Sequence, residues 1–113
     1  MLSREVLEKL AREAFGPNAQ IVTDIHCTTR IKLATVEVDV YPPAPRSGVS
    51  TAQVNGCCLF TYEKVEGINP DNEQQFVKAF EQVRNFIKAR AQAVGGEVKD
   101  ILAAINRTPE FGE

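Results

Sequence analysis

His26 and Asp24 are the residues best suited to acid–base chemistry, because they stand two positions apart in a segment with strand-like alternation. Histidine exchanges protons near neutral pH, and a carboxylate on the same strand face can orient the ring. A thiol on a neighbouring strand, Cys58, would complete a Cys–His pair. No nucleophile motif or glycine-rich turn surrounds these residues. We therefore expect no catalytic site and keep this trio as an alternative.

The cysteines do not have the spacing of a metal site. Cys57 and Cys58 are adjacent, and Cys27 directly follows His26. Because neighbours on a strand point to opposite faces, at most one residue of each pair could face a common ion. A structural zinc site takes four ligands, so we expect no metal and no cofactor. Three cysteines without a framework also indicate reduced thiols and a cytoplasmic location.

Basic residues cluster toward the end of a long predicted helix, where Arg84, Lys88 and Arg90 could bind an anion. Arg84 and Lys88 stand one turn apart and repel slightly unless an anion lies between them. The net charge is −2, and aromatic residues do not alternate with these bases. Nucleic acid is therefore not an expected partner. No apolar run reaches the 18 or so residues of a membrane span, so a membrane is not expected either.

The segment from Asn69 to Val94 predicts one long amphipathic helix. Asn69 suits the N-cap and Pro70 the first helical position, while Gly95-Gly96 ends the helix. Apolar residues recur at helical spacing in a stripe wide enough to cover a sheet. They are Phe76, Ala79, Phe80, Val83, Phe86, Ile87, Ala91 and Val94.

The residues before this helix predict a shorter helix and a sheet. Ser3 can cap a helix that runs to about Phe15. Residues 30–41 alternate as a strand, but the apolar parity changes near Ala34-Thr35, which indicates a β-bulge. Asn55-Gly56 predicts a type I′ hairpin turn before a strand over residues 57–65.

The 113-residue length allows one domain with a real core. We predict an α+β domain over residues 1–106 and a frayed tail over 107–113. The domain would hold an N-terminal helix, a four-stranded antiparallel meander, a long C-terminal amphipathic helix and a short final helix over residues 97–105.

The last predicted strand is apolar on both faces in its first half, and the long helix is long for its sheet. These features favour a non-catalytic binding or assembly module that self-associates as a homodimer. The expected contact residues are Phe60, Tyr62, Cys58 and Val49. The alternative is a small cytosolic enzyme or ligand-binding protein. It would hold a small molecule between sheet and long helix and use His26 and Asp24.

Overall fold

Two helices lie against one face of a five-stranded antiparallel sheet. The computed structural model describes residues 1–33, 36–58 and 60–94, with side chains to residue 90. Each strand pairs with its neighbour in sequence, in the order β1-β2-β3-β4-β5. The elements are α1 (Arg4–Phe15), β1 (Gln20–Thr23), β2 (Thr29–Leu33), β3 (Val36–Tyr41), β4 (Ala52–Cys58), β5 (Thr61–Ile68) and α2 (Glu73–Val94). The α+β prediction, with an N-terminal helix and a long C-terminal helix, is confirmed.

The ends of α1 follow from two residues. The Ser3 hydroxyl accepts a hydrogen bond from the Val6 backbone N–H at 3.3 Å, as a helix N-cap does. At the other end Gly16 adopts φ 101° and donates its N–H to the Arg12 carbonyl. Glycine takes this conformation at little steric cost, so the helix ends at Phe15.

The predicted single strand over residues 30–41 is two strands, so the prediction of four strands was wrong. Leu33 pairs with Val36, and the register continues outward to Thr29 opposite Val40. The change of apolar parity therefore marks a chain reversal rather than a bulge. A reversal and a bulge both shift the alternation by one position, which is why the pattern alone did not separate them.

The predicted turn at Asn55-Gly56 was also wrong, and with it the strand over residues 57–65. Both residues lie inside β4, where Asn55 pairs with Asp39 on one side and Lys64 on the other. The chain reverses instead between Cys58 and Thr61. Asn-Gly favours a tight turn locally, but here Gly56 serves the close approach of α2 to the sheet.

The long helix begins at Glu73, three residues after the predicted first helical residue, Pro70. Asn72 supplies the cap, because its Oδ1 accepts the Gln75 backbone N–H at 3.2 Å. Asn69 instead closes the preceding turn by accepting the Asp71 N–H at 3.0 Å. That turn also holds the chain start, since the Met1 ammonium lies 2.6 Å from the Asp71 carboxylate. The predicted final helix and tail lie outside the described residues.

The core lies between the helices and one sheet face. Phe15 of α1 and Phe80 of α2 meet edge to face, with ring centroids 5.7 Å apart. In β4 every second residue is buried, which places Val54 and Cys58 beneath α2. The predicted helical stripe is confirmed at Phe76, Ala79, Phe80, Val83 and Ile87, which are all buried. Neither described helix is long and apolar enough to cross a bilayer.

Candidate functional site

The Asp24 carboxylate closes the β1–β2 turn through hydrogen bonds from two backbone N–H groups. Its Oδ1 accepts the backbone N–H groups of His26 at 2.8 Å and Thr28 at 3.0 Å. The hydrogen bond from Thr28 is the main reason that the pKa of Asp24 lies below its ordinary value. Cys27 completes this turn with φ 63°, a conformation uncommon for residues other than glycine. Asp24 therefore acts as a turn residue.

Cys58 lies far from His26. Thr29, just after the β1–β2 turn, stands in one row of the sheet with Val40 and Val54. Cys58 is four residues further along β4, about 13 Å at the rise of an extended strand. It is fully buried, and burial raises the pKa of its thiol. Cys58, the proposed nucleophile, is thus separated from His26 and Asp24. It is also inaccessible at the molecular surface.

A charged cluster centred on Arg30 lies on the sheet face opposite the helices. The Arg30 guanidinium approaches Asp39 at 3.5 Å, Asp24 at 3.7 Å and Glu37 at 3.8 Å. The Tyr41 hydroxyl donates a hydrogen bond to Asp39 Oδ2 at 3.3 Å. These contacts tie β2 to β3 and to the β1–β2 turn. Within the described residues, no three His, Cys, Asp or Glu side chains are arranged to hold a metal ion.

Asp39 is the least solvated member of this cluster. Its Oδ1 is buried and accepts no hydrogen bond from the described residues. Burial raises the pKa of Asp39 above its ordinary value, and the neighbouring Glu37 charge raises it further. This cluster was not predicted, because residues 30–41 were expected to form one strand and they form parts of two, β2 and β3. A chain reversal between Leu33 and Val36 places Arg30 opposite Asp39.

The proposed anion-binding residues do not form one exposed surface. Arg84 is fully buried, whereas Lys88 and Arg90 are half-buried. A guanidinium without solvent access cannot capture an anion from solution unless its surroundings open first. The arrangement of these three side chains therefore gives an external anion site no support.

The β4–β5 hairpin ends in an exposed aromatic surface, which we call the hairpin tip and define as Cys57, Phe60, Thr61 and Tyr62. Phe60 is 94% exposed and Tyr62 is 74% exposed. Phe60 also adopts φ 65°, an outlying conformation for a bulky side chain. The Thr61 hydroxyl donates to the Cys58 carbonyl at 2.7 Å and fixes the base of the turn.

Val49 lies at the opposite end of the sheet, in the proline loop (residues 42–51). Val49 and Ala44 exchange two backbone hydrogen bonds, of 2.9 and 3.1 Å, and residues Pro45–Ser47 form a single 3-10 turn between them. These bonds fold the loop back on itself. Val49 is thus separated from Phe60 and Tyr62 by the length of β4.

The proline loop overhangs a cleft of about 980 Å³, which we call the proline cleft. A second cleft of about 500 Å³ lies toward the start of α1, and His26, Pro42 and Pro43 line both clefts. The proline cleft lies at the end of the sheet, and no described residue of α2 lines it. The proline cleft is lined by His26, Thr28, Tyr41, Pro42, Pro43, Ala44, Val49, Thr51, Ala52, Gln53, Glu66 and Gly67.

Three comparisons with known proteins place these features in no established group. No protein-family model, curated protein or solved structure matches the chain.

Proposed function

We propose that the chain is a non-catalytic assembly module that forms a homodimer through the hairpin tip. The observation that carries the proposal is Phe60, a ring exposed over 94% of its surface and attached to a backbone at φ 65°. Exposure of so large an apolar side chain is unfavourable in an isolated monomer. Backbone strain of this kind is concentrated at functional positions, where it is part of the working geometry.

The charge of the hairpin tip suits a second copy of the same chain. In a two-fold contact, residues near the axis meet their own copies, so a charged residue there would repel itself. Cys57, Phe60, Thr61 and Tyr62 carry no formal charge. Aromatic rings from the two copies can pack offset or edge to face, as Phe15 and Phe80 do inside the molecule.

The expected dimer is weak, because the hairpin tip is small. Phe60 and Tyr62 each bury about 150–250 Å² when fully covered, which gives about 600–1,000 Å² for two copies. Stable complexes usually bury about 1,200 Å² or more. We therefore expect a dissociation constant of about 100 µM or higher, and a protein that exchanges rapidly between monomer and dimer.

The edges of the sheet offer a less suitable contact. β1 is only four residues long, and β5 carries the exposed charges Lys64 and Glu66. Short edge strands and edge charges are devices that oppose strand pairing between molecules. The acid–base alternative also lacks a comparable observation, since His26 and Cys58 lie at opposite ends of the sheet.

Sedimentation velocity over concentrations from about 10 µM to about 1 mM tests this proposal. We expect the weight-average sedimentation coefficient to rise with concentration for the native chain. Phe60→Gly should remain monomeric, because it removes the ring. It should also keep the fold, because glycine accepts positive φ without strain.

Ile25→Ser is the matched control. Ile25 is 92% exposed at the tip of the β1–β2 turn, at the other end of the sheet. Its loss should leave association unchanged. A native chain that stays monomeric at the highest concentration, or a Phe60→Gly variant that associates like the native chain, would refute the proposal.

A further inference from the structure

We propose that the proline cleft binds a small organic cation, a molecule with a protonated amine on an apolar body. The cleft has a volume of about 980 Å³ and lies at the end of the sheet remote from the hairpin tip. Sites for small organic ligands commonly have volumes of about 300–1,000 Å³. The inference is therefore independent of the proposed dimer.

Three adjacent strands form the polar floor of the cleft. Tyr41 of β3 pairs with Gln53 of β4. Ala52 pairs with Ile68 and Val54 with Val65, so Gln53 alone faces both Glu66 and Gly67 of β5. Strands lie about 4.8 Å apart, which puts Tyr41 and Glu66 about 10 Å apart across the floor. That span fits a molecule with an aromatic or short aliphatic body.

The charge of the lining favours a cation over an anion. Glu66 carries the one carboxylate among the described lining residues, and neither lysine nor arginine is among them. Lys64 lies 3.4 Å from Glu66, but both side chains are largely exposed. Exposed ion pairs contribute little, so a ligand amine can replace Lys64 as the partner of Glu66. The Glu66 carboxylate would repel an anion.

Tyr41 and the proline loop supply the remaining recognition. The Tyr41 ring can hold a cation over its face. Burial raises the pKa of the Tyr41 phenol, which keeps its hydroxyl protonated and donating to Asp39. Pro42, Pro43 and Val49 offer an apolar wall that the Ala44–Val49 hydrogen bonds hold in place. The cleft therefore needs little ordering before a ligand enters.

Three fragments of equal size and different charge test the inference: benzylammonium, benzyl alcohol and benzoate. Each is titrated into the ¹⁵N-labelled full chain while the backbone amide shifts are followed by NMR. Benzylammonium should shift the amides of Gln53, Glu66 and Gly67 and bind with a dissociation constant of about 1–10 mM, as expected for so small a ligand. Benzoate should bind at least about tenfold more weakly, because Glu66 repels it.

A pair of variants isolates the carboxylate. Glu66→Gln should weaken benzylammonium binding about two- to fivefold, the effect expected of a solvent-exposed carboxylate, and leave benzyl alcohol binding unchanged. Glu13→Gln removes the same charge from the exposed side of α1 and should change neither. Benzoate binding as tight as that of benzylammonium, an unchanged affinity in Glu66→Gln, or shifts confined to residues outside the cleft would overturn the inference.

Discussion

Gly56 of β4 and Val83 of α2 are in direct contact. A Cβ atom built on Gly56 would lie 2.4 Å from Val83 Cγ1, closer than carbon atoms approach in proteins. The helix therefore packs against the backbone of the strand at this point. Because α2 also covers Val54 and Cys58 on the same strand face, the position of the whole helix depends on the absence of a side chain at residue 56.

Gly56→Ala should destabilise the protein by about 1–3 kcal/mol, the usual range for overpacking a core. Urea unfolding followed by far-UV circular dichroism measures this change. In the double variant Gly56→Ala/Val83→Ala the added methyl occupies space that Val83 vacates, so the two effects should not add.

Gly48→Ala is the matched control for this prediction. Gly48 has φ 76°, and no atom lies within 4 Å of its hypothetical Cβ, so alanine there costs only backbone strain. Its effect should be unchanged in the Val83→Ala background. Simple additivity of Gly56→Ala and Val83→Ala would contradict the packing explanation.

Asp39 should reduce stability as pH rises. Its pKa in the folded protein is raised above the ordinary value of 3.8. At a pH between the ordinary pKa and the raised pKa, the folded state therefore holds more protons than the unfolded state. Below the ordinary pKa, Asp39 therefore contributes its full stabilisation to the free energy of unfolding. This contribution is lost as the pH rises through the raised pKa of the folded state. Asp39→Asn should remove this loss, so that the variant gains stability relative to the native protein as pH rises through the window.

Urea titrations of both proteins at pH values from about 3 to about 7 check this prediction. In both proteins, Asp24 should contribute to the pH dependence of stability with the opposite sign to Asp39. Its pKa is lowered, so its contribution is present above the ordinary pKa and lost as pH falls through the lowered one. A difference between native protein and Asp39→Asn that does not vary with pH would show that Asp39 has no raised pKa.

The three cysteines should react with iodoacetamide in a fixed order. Cys27 is exposed, Cys57 is half-buried, and Cys58 is fully buried with a raised thiol pKa. The thiolate is the reactive form, so both burial and the raised pKa protect Cys58. Mass spectrometry of timed samples should show Cys27 modified first and Cys58 modified only when urea unfolds the chain.

In a Cys57→Ser variant, the alkylation rate of Cys58 can be measured without a contribution from the adjacent thiol. Native Cys58 that reacts as fast as Cys27 would mean that the end of β4 opens readily. It would then be wrong to describe Cys58 as part of the core.

Local signals in the sequence predicted the helices well. Ser3 caps α1 and the apolar stripe of α2 faces the core, because capping and helical periodicity depend on residues a few positions apart. The start of α2 was placed too early, since Asn69 and Asn72 both have N-cap side chains and only the observed turn distinguishes them.

Signals that depend on distant residues were misread. Asn55-Gly56 has the chemistry of a turn, yet the need for a glycine there comes from Val83, which lies 27 positions after Gly56. Arg84 was predicted as a possible anion-binding residue, but it is fully buried. The proline cleft could not be predicted either, because it joins the β1–β2 turn, the proline loop and β5.

The uninterrupted meander has a consequence for how the chain folds. Each described strand pairs with the strand that precedes or follows it, so no connection between paired strands exceeds ten residues. The entropy lost on closing a loop rises with loop length, so the pairing of each successive strand costs little entropy. α1 and α2 are the exception, because the whole sheet separates them in sequence. The sheet can therefore assemble from local contacts, and the Phe15–Phe80 contact then joins the two helices.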